Sequence, residues 1–393
     1  MTDKIRLGIS TCLLGEPVRY DGGHKWDRFL TDTLGRYVEF VPVCPEVECG
    51  LSVPREAMRL VGDPQNPQLL TVRSGVDYTE RMLNWARKRV VELEQEGLCG
   101  FIFKSGSPSS GMERVKVYGP SGSPAKTGVG LFAWTFMEHF PLLPVEEEGR
   151  LHDPKLRENF IEAIFTLKRW REMLDLNGGR GALVDFHTRH KLLLRAHSLE
   201  HLRQMGKLVA QAADVPVADL YDQYQKLLLE ALGRKTTSKK NTDVLYHLMG
   251  HFKKDLSADE KQELREIIDL YHRGLVPLIV PITLVRHLVR RYDIQYLQGQ
   301  TYLMSASARF YDLAPQLARA KIADVERQEF KDIAGGSGDF GDDYPGYSWT
   351  MSVEDMPSDL ITDQHHHLAR ITLTVSQHEE NSYQLRTFRY FTD

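Results

Sequence analysis

Three apolar stretches determine how the N-terminal region of this 393-residue chain folds: IRLGISTC (residues 5–12), YVEFVPVC (37–44) and GFIFKSGS (100–107). Each begins as a strand-like run and ends in polar or sulfur-bearing residues. Between the last two, Glu80–Gly97 repeats apolar residues at helical spacing. Alternating strands and helices predict an α/β domain with a mostly parallel sheet. Since ligands of such sheets bind beyond the carboxyl ends of the strands, we expect these three ends to converge on one functional edge.

The rest of the chain has a different pattern. Residues 150–303 contain long amphipathic stretches, among them Leu183–Gln211, which are typical of an all-α domain. The acidic run Glu146–Glu148 marks the predicted junction. The sequence therefore predicts an α/β N-terminal domain (1–149), an all-α domain (150–303) and a small α+β C-terminal extension (304–393).

Composition excludes several classes of protein. Four cysteines are too few for a disulfide framework in a chain of this size. The sequence has no unbroken apolar run of the length that a membrane helix needs and no signal-peptide pattern, so we expect a cytoplasmic protein with no membrane partner. The net charge is −4, but acidic residues concentrate after residue 318, which leaves a small positive excess elsewhere. Within the extension we expect a helix over 310–330 and a Gly/Asp-rich loop over 335–346.

Three of the cysteines lie near predicted strand ends. Cys12 and Cys44 each follow a strand, and Cys49 lies five residues after Cys44. Three thiolates at one edge suit a soft metal or an iron–sulfur cluster that keeps an open coordination position. The alternative is that they are small buried apolar residues, as free cysteines often are. Cys99 precedes the third strand, so we expect it to be a core residue.

Polar residues near these cysteines could act on a ligand. Glu46 lies two residues after Cys44 and could be a general acid or base. Lys104 begins the segment KSGSPSSG, in which Ser107, Ser109 and Ser110 could present hydroxyl and backbone N–H groups. The alternatives are a solvated loop carboxylate and a plain Ser/Gly/Pro turn.

Other polar clusters are less specific. The Gly-rich loop 20–25 contains Asp21, which could bind a polar ligand. Basic residues at 186–198 and 234–240 could neutralise phosphates or could be solvated helix faces. A histidine metal site is disfavoured because no carboxylate or thiol pattern accompanies His187, His190, His197 and His201.

Taken together, these motifs resemble a known family. STCLLGEPVRYDGGHK (10–25), PVCPEVECGL (42–51) and KSGSPSSGMERVKVY (104–118) resemble the signature segments of the thiouracil desulfidases. PLLPVEEEGRLHDPKLRENF (141–160) and FHTRHKLLLRAHS (186–198) resemble the helical domain fused to them in bacterial tRNA 4-thiouridine desulfidases. This resemblance implies a [4Fe-4S] cluster, held by three cysteines, whose fourth iron binds a thiocarbonyl sulfur while water replaces that sulfur without net redox change.

The resemblance also implies roles for individual residues. Cys12 and Cys44 correspond to two cluster ligands, Glu46 to the catalytic glutamate and Ser107 to the catalytic serine. Lys104, Ser109, Ser110 and Asp21 are candidates for binding substrate. The expected partner is thiolated tRNA, and no protein partner is expected.

This chain departs from the family pattern at one ligand. Better-known members carry cysteine where this chain has Ser110, and glycine where it has Cys49. Cys49 is therefore the predicted third ligand, with the Ser110 oxygen as the alternative. Two rival functions stay open: desulfidation of free thiouracil or thiouridine monophosphate, and non-catalytic RNA binding through a metal. Residues 305–393 resemble the globular part of a type II secretion minor pseudopilin and are assigned no role in the chemistry.

Overall fold

A computed structural model describes most of the chain in detail. It covers residues 4–119, 122–176 and 178–304, and beyond these 317–318, 321–322, 335–341, 347–355, 366–377 and 381–392. The chain divides into two compact units, residues 1–240 and 241–393. Among the described residues, no helix has both the length and the apolar character needed to cross a bilayer. The three-domain division at residues 149 and 303 stays a prediction.

The N-terminal α/β region contains two four-stranded sheets. Its strands are β1 (Ile5–Ser10), β2 (Val38–Val43), β3 (Met58–Asp63), β4 (Asn66–Thr71), β5 (Phe101–Phe103), β6 (Val115–Tyr118), β7 (Pro124–Gly128) and β8 (Val145–Glu147). Its helices are α1 (Pro45–Glu48), α2 (Thr79–Glu94) and α3 (Leu131–His139). The first sheet has the order β2-β1-β5-β8, and every neighbouring pair is parallel. This confirms the predicted fold class for the region.

An aromatic cluster forms the core against this sheet. Phe101 and Phe103 of β5 pack on Phe132 and Phe136 of α3, and all four side chains are fully buried. Strands β1 and β5 approach closely at Gly8, where a Cβ atom would lie 2.2 Å from the Phe101 ring. Glycine at this position therefore sets the spacing of the two central strands.

Two features of this region were not predicted: the second sheet, and strand β8 at the edge of the first sheet. The order β4-β3-β6-β7 combines one parallel pair, β3 with β6, and two antiparallel pairs. The acidic run Glu146–Glu148, predicted to mark a domain junction, lies at the end of the first sheet, with Glu146 and Glu147 buried in β8. Each of these carboxylates accepts a hydrogen bond within the fold, and the junction after them stays a prediction.

The region that follows is helical, as predicted. Its helices are α4 (Pro154–Asp175), α5 (Gly179–His197), α6 (Leu199–Ala210) and α7 (Val217–Leu232). The stretch Leu183–Gln211 was expected to be continuous but breaks at Ser198. Ser198 has extended backbone angles, and its side chain accepts a hydrogen bond from the His201 N–H. Ser198 is thus the N-cap that starts a new helix.

The second unit begins within α8 (Ser238–His251), and its described residues form helices and one sheet. It contains α9 (Ala258–His272), α10 (Ile279–Arg291), α11 (Gln295–Gln298), α12 (Thr301–Met304) and the strands β9 (Gly336–Asp339), β10 (Tyr347–Asp355), β11 (His366–Gln377) and β12 (Asn381–Thr392). The sheet is antiparallel in the order β12-β11-β10-β9. Strand β9 lies inside the predicted loop 335–346, whose residues 342–346 are outside the described residues. Most of the predicted helix 310–330 also lies outside them.

Two buried histidines make the helical region sensitive to acid. His187 bonds to the Tyr224 hydroxyl, and His190 bonds to the Phe186 carbonyl. Burial lowers the pKa of His187 to about 4 and that of His190 to about 3. Unfolded histidines take up protons below a pH of about 6.5. The unfolded state therefore binds more protons as pH falls below that value, and stability falls with it.

We expect the free energy of unfolding to drop by about 2 kcal/mol per buried histidine between pH 7 and pH 5. Urea unfolding followed by circular dichroism at the two pH values measures this drop. The double variant His187→Gln/His190→Gln, which cannot take up these protons, should show a smaller drop. Equal drops in the variant and the wild type would contradict the prediction.

Candidate functional site

The carboxyl ends of three parallel strands meet at one cavity. Strand β1 continues into a 3-10 turn, Thr11–Leu14, that carries Cys12. Strand β2 leads to Cys44, the N-cap of α1, and β5 leads to Lys104. Since β2, β1 and β5 are neighbours, the turns after them lie side by side and border a cavity of about 390 Å³. The predicted convergence is confirmed.

Most of the predicted site residues line this cavity. They are Cys12, Cys44, Glu46, Lys104, Ser107 and Ser110. Three others, Cys49, Ser109 and Asp21, are not among its lining residues. Asp21 lies in the exposed turn of its loop, where its carboxylate accepts a hydrogen bond from the Gly23 N–H. Cys99 is buried, as expected for a core residue.

The two cavity thiols are poorly solvated. Burial, and then the charge of Glu46, raise the pKa of Cys12 to about 11 and that of Cys44 to about 12. The Cys44 Sγ atom lies 3.6 Å from Oε2 of Glu46. The backbone N–H of Cys44 donates to Oε1 of Glu48 at 2.8 Å, which fixes the turn that presents the thiol. A soft metal would bind these residues as thiolates and displace their protons.

Cys49 has a different environment from Cys12 and Cys44. Its Sγ atom donates to the Glu46 carbonyl oxygen at 3.2 Å, and it packs in a core cluster with Leu60 and Met82. The short helix α1 between Cys44 and Cys49 explains this placement. At about 100° per residue, five residues turn a side chain by about 140° from its starting direction. The structure therefore places Cys49 outside the lining of the cavity that Cys12 and Cys44 share.

The cavity is lined by two thiols, those of Cys12 and Cys44, and by several hydroxyl groups. One of these hydroxyl groups belongs to Ser110, which is 3% exposed and whose Oγ atom lies 3.4 Å from that of Ser109. Within the described residues, no group of three or more His, Cys, Asp or Glu side chains has metal-binding geometry. That includes the four histidines of α5 and α6, which bond to backbone or side-chain partners instead.

A chain of hydroxyl groups links Glu46 to Ser107. Ser109 donates to Oε1 of Glu46 at 2.6 Å, and its Oγ atom lies 2.9 Å from Oγ of Ser107. The Ser107 oxygen also accepts the backbone N–H groups of Ser109 and Ser110 at 3.3 and 3.2 Å. The carboxylate and the cavity-facing hydroxyl are therefore parts of one hydrogen-bonded network.

Sequence reasoning missed Arg55, which holds this site from a different loop. Its guanidinium lies 3.7 Å from Oε2 of Glu46, and both side chains are mostly buried. It also donates to the Val18 carbonyl oxygen, 37 residues earlier in the chain. Arg55 therefore gives Glu46 a counter-charge and ties it to the loop that follows Cys12. Local patterning contains no signal for such a long-range contact.

Lys104 is held by a second carboxylate that sequence reasoning also missed. Its Nζ atom lies 2.5 Å from Oε1 of Glu148, which also accepts from the Ser105 hydroxyl. Burial opposes ionisation of Glu148, but the hydrogen bonds and charge of Lys104 hold the pKa of this carboxyl below its usual range. The pair fixes the start of the loop that carries Ser107.

The rest of that loop is anchored on the N-terminus of α3. The N–H of Leu131 donates to the Pro108 carbonyl, and that of Phe132 to the Ser109 carbonyl. Gly130 permits this contact, because a Cβ atom there would lie 2.5 Å from the Ser109 carbonyl carbon and oxygen. The serine loop is thus positioned by backbone contacts that leave no room for a side chain.

Replacing Gly130 by alanine is expected to displace the serine loop or α3. Overpacking of this kind costs about 1–3 kcal/mol, so the thermal midpoint should fall, and the shifted Ser107 should lower activity. Gly119→Ala is the matched control, because a Cβ atom there meets open space. Thermal melts and activity assays of both variants test this. Equal behaviour of the two would contradict the packing argument.

Comparisons with known proteins place this site in a family. Residues 7–148 match the sequence model of 2-thiouracil desulfurase. The chain is 30% identical over 108 residues to Uncharacterized protein YbbK of Bacillus subtilis (strain 168), covering 26% of this chain and 71% of that protein. The chain belongs to the 2-thiouracil desulfurase family. The family region includes every residue that lines the cavity.

Other relatives extend the comparison. Residues 191–305 match a protein family of unknown function, DUF1722. Uncharacterized protein YbgA of Escherichia coli (strain K12) is 34% identical over 140 residues, covering 35% of this chain and 83% of that protein. The solved structure of "[4Fe-4S]-dependent thiouracil desulfidase TudS" is 30% identical, covering 38% of this chain and 95% of that chain, with a TM-score of 0.33.

Proposed function

We propose that this protein is a [4Fe-4S]-dependent desulfidase that converts 4-thiouridine in tRNA to uridine. The observation that carries the proposal is the cavity in which Cys12 and Cys44 lie beside Glu46 and Ser107. Membership of the 2-thiouracil desulfurase family supports a thionucleobase as the substrate class. The motif resemblance supports the cluster.

The donors at the cavity fit such a cluster. Thiolates are the usual protein ligands of iron–sulfur clusters, and Cys12 and Cys44 supply two of them. We assign the third position to the Ser110 oxygen rather than to Cys49, because Ser110 lines the cavity and Cys49 does not. When bound, the cluster supplies a Lewis-acidic iron without a protein ligand for the thiocarbonyl sulfur.

Glu46 and Ser107 act on the attacking water. In the overall reaction, water adds oxygen to the C4 carbon and the carbon–sulfur bond breaks. Sulfur leaves as hydrosulfide with one of the two protons of water, and the other proton is released to solvent. No electrons are transferred. Glu46 accepts a proton through the hydroxyl network that ends at Ser107. Arg55 keeps that carboxylate in place.

Exposed aromatic residues near the cavity favour a polynucleotide over a free base. Tyr20 lines the cavity and is 45% exposed, and Trp26 of the same loop is 48% exposed. The guanidinium of Arg19 lies 5.6 Å from the Tyr20 ring centre, and that of Arg28 lies 5.3 Å from the Trp26 ring centre. Aromatic rings beside cations are a common platform for stacked nucleotides. Such a surface would contact nucleotides that flank the thiolated base.

The direct test uses anaerobically reconstituted protein and thiolated tRNA. Loss of the near-ultraviolet thiouridine absorbance, with release of hydrosulfide, is the expected result, and Cys12→Ala should abolish it. Parallel reactions with thiouridine monophosphate and free thiouracil separate the substrates. Faster turnover of either small substrate than of tRNA would overturn the tRNA assignment and leave the desulfidase assignment intact.

Metal analysis of the same protein tests the non-catalytic alternative. Stoichiometric zinc without iron, together with tRNA binding and no turnover, would indicate an RNA-binding regulator. We expect iron and acid-labile sulfide instead.

A further inference from the structure

We propose that Ser109 is a positioning residue that orients the Ser107 hydroxyl and passes its proton to Glu46. The inference rests on the proposed function and deepens it. Ser109 is fully buried and does not line the cavity, so it would contact neither substrate nor cluster. It would act only through the two side chains that it connects.

The hydrogen-bond directions follow from a count of hydrogens. An ionised carboxylate is only an acceptor, so the single hydroxyl hydrogen of Ser109 is donated to Glu46. In the 2.9 Å contact between the two serine oxygens, Ser109 must then accept and Ser107 must donate. The hydroxyl hydrogen of Ser107 therefore points away from the cavity and toward Ser109.

Backbone groups hold the Ser107 oxygen where it can donate its hydrogen to Ser109. It accepts the N–H groups of Ser109 and Ser110, at 3.3 and 3.2 Å. These donors favour negative charge on that oxygen when its proton leaves. Ser109 itself is fully buried, and its hydroxyl contacts both Ser107 and Glu46.

The proton transfer balances in atoms and charge. As water attacks the substrate carbon, one of its protons moves to Oγ of Ser107. The original Ser107 proton moves to Oγ of Ser109, and the original Ser109 proton moves to Oε1 of Glu46. Both serines end neutral, Glu46 gains one proton, and the substrate gains hydroxide. The proton on Glu46 leaves with the sulfur as hydrosulfide, which restores the carboxylate, and the proton still on the former water oxygen is released to solvent as the C4 carbonyl forms.

A double-mutant cycle tests whether Ser109 acts through Ser107. We expect Ser109→Ala to lower kcat by about 10- to 100-fold, with KM and iron content unchanged. In the Ser107→Ala background the same substitution should have no further effect on kcat. Ser109→Thr, which keeps a hydroxyl, should recover much of the activity. Thr135→Val removes a buried hydroxyl elsewhere, one that bonds to the Leu131 carbonyl, and should leave kcat unchanged.

The inference would be overturned if Ser109→Ala lowered kcat equally in the wild-type and Ser107→Ala backgrounds, or if it left the wild-type kcat unchanged. Either result would leave the desulfidase assignment standing. Lower iron content in Ser109→Ala would also overturn it, because it would show a structural role. Absence of wild-type turnover on every thiolated substrate would instead refute the proposed function and this inference together. Crystals of Ser109→Ala without substrate give a readout that needs no activity, in which the Ser107 oxygen, still held by the backbone N–H groups of residue 109 and Ser110, is expected to keep its place. A displaced Ser107 side chain would count against the proton-transfer role, because it would show that Ser109 holds the shape of the loop.

Discussion

Replacing Glu46 by glutamine is expected to lower kcat by about 100- to 10,000-fold. Glutamine keeps the shape of the side chain, and its amide oxygen can still accept the Ser109 hydroxyl. It cannot take up the proton that leaves the attacking water. Since Glu46 is not proposed as a ligand, the iron content should stay close to that of the wild type. The thermal midpoint should fall, because Arg55 loses its counter-charge.

Steady-state kinetics on thiolated tRNA, together with iron analysis, measures this effect. Glu94→Gln is a matched control, because Glu94 is an exposed carboxylate paired with His139 and lies outside the cavity. It should leave kcat unchanged. Near-normal kcat in Glu46→Gln would contradict the role given to this carboxylate.

The third cluster ligand gives the second large expected effect. Ser110→Ala should lose most of its iron during anaerobic purification, whereas Cys49→Ala should keep it. Ser110→Cys should retain the cluster several-fold longer against a chelator, because thiolate is a softer and better ligand for iron–sulfur clusters than a serine oxygen. Ser110→Ala and Cys49→Ala are expected to differ because Ser110 lines the cavity and Cys49 packs in the core.

Iron and acid-labile sulfide per chain, measured in the three variants, decide between the two candidates. Thermal melts control for misfolding, because Cys49 is itself buried and its loss leaves a small void. Loss of iron in a folded Cys49→Ala protein, with full iron in Ser110→Ala, would restore the ligand set predicted from the sequence.

The parts of the fold that sequence predicted correctly are those encoded locally. Strands β1, β2 and β5 are apolar runs that end abruptly in polar residues, and α2 buries Met82, Ala86, Val90 and Leu93 on one face. These patterns depend only on near neighbours in the chain. The meeting of Cys12, Cys44 and Ser107 then follows from parallel pairing of adjacent strands.

The parts that it missed depend on distant contacts. Strand β7 has four exposed residues out of five and little apolar character, and it forms only because β6 pairs with it. Arg55 bonds to Val18, which is 37 residues earlier in the chain, and Glu148 bonds to Ser105, which is 43 residues earlier. Local composition does not indicate either contact.

Cys49 shows a different limit of sequence reasoning, and its role as a ligand stays a prediction. Its distance along the chain from Cys44 is short, and sequence spacing alone gave it the same edge of the sheet. The one-turn helix α1 rotates it toward the core cluster that contains Leu60. Proximity in sequence does not by itself place two side chains at one edge, because a helix directs successive side chains around its axis.

The most direct test of this account is the metal content of anaerobically purified protein, measured in wild type and in Cys12→Ala. The account predicts about four iron and four sulfide per chain in the wild type, as a [4Fe-4S] cluster requires. It predicts little of either in a folded Cys12→Ala protein. Wild-type protein without iron, or Cys12→Ala protein with a full complement, would contradict the claim that this cavity holds a cluster.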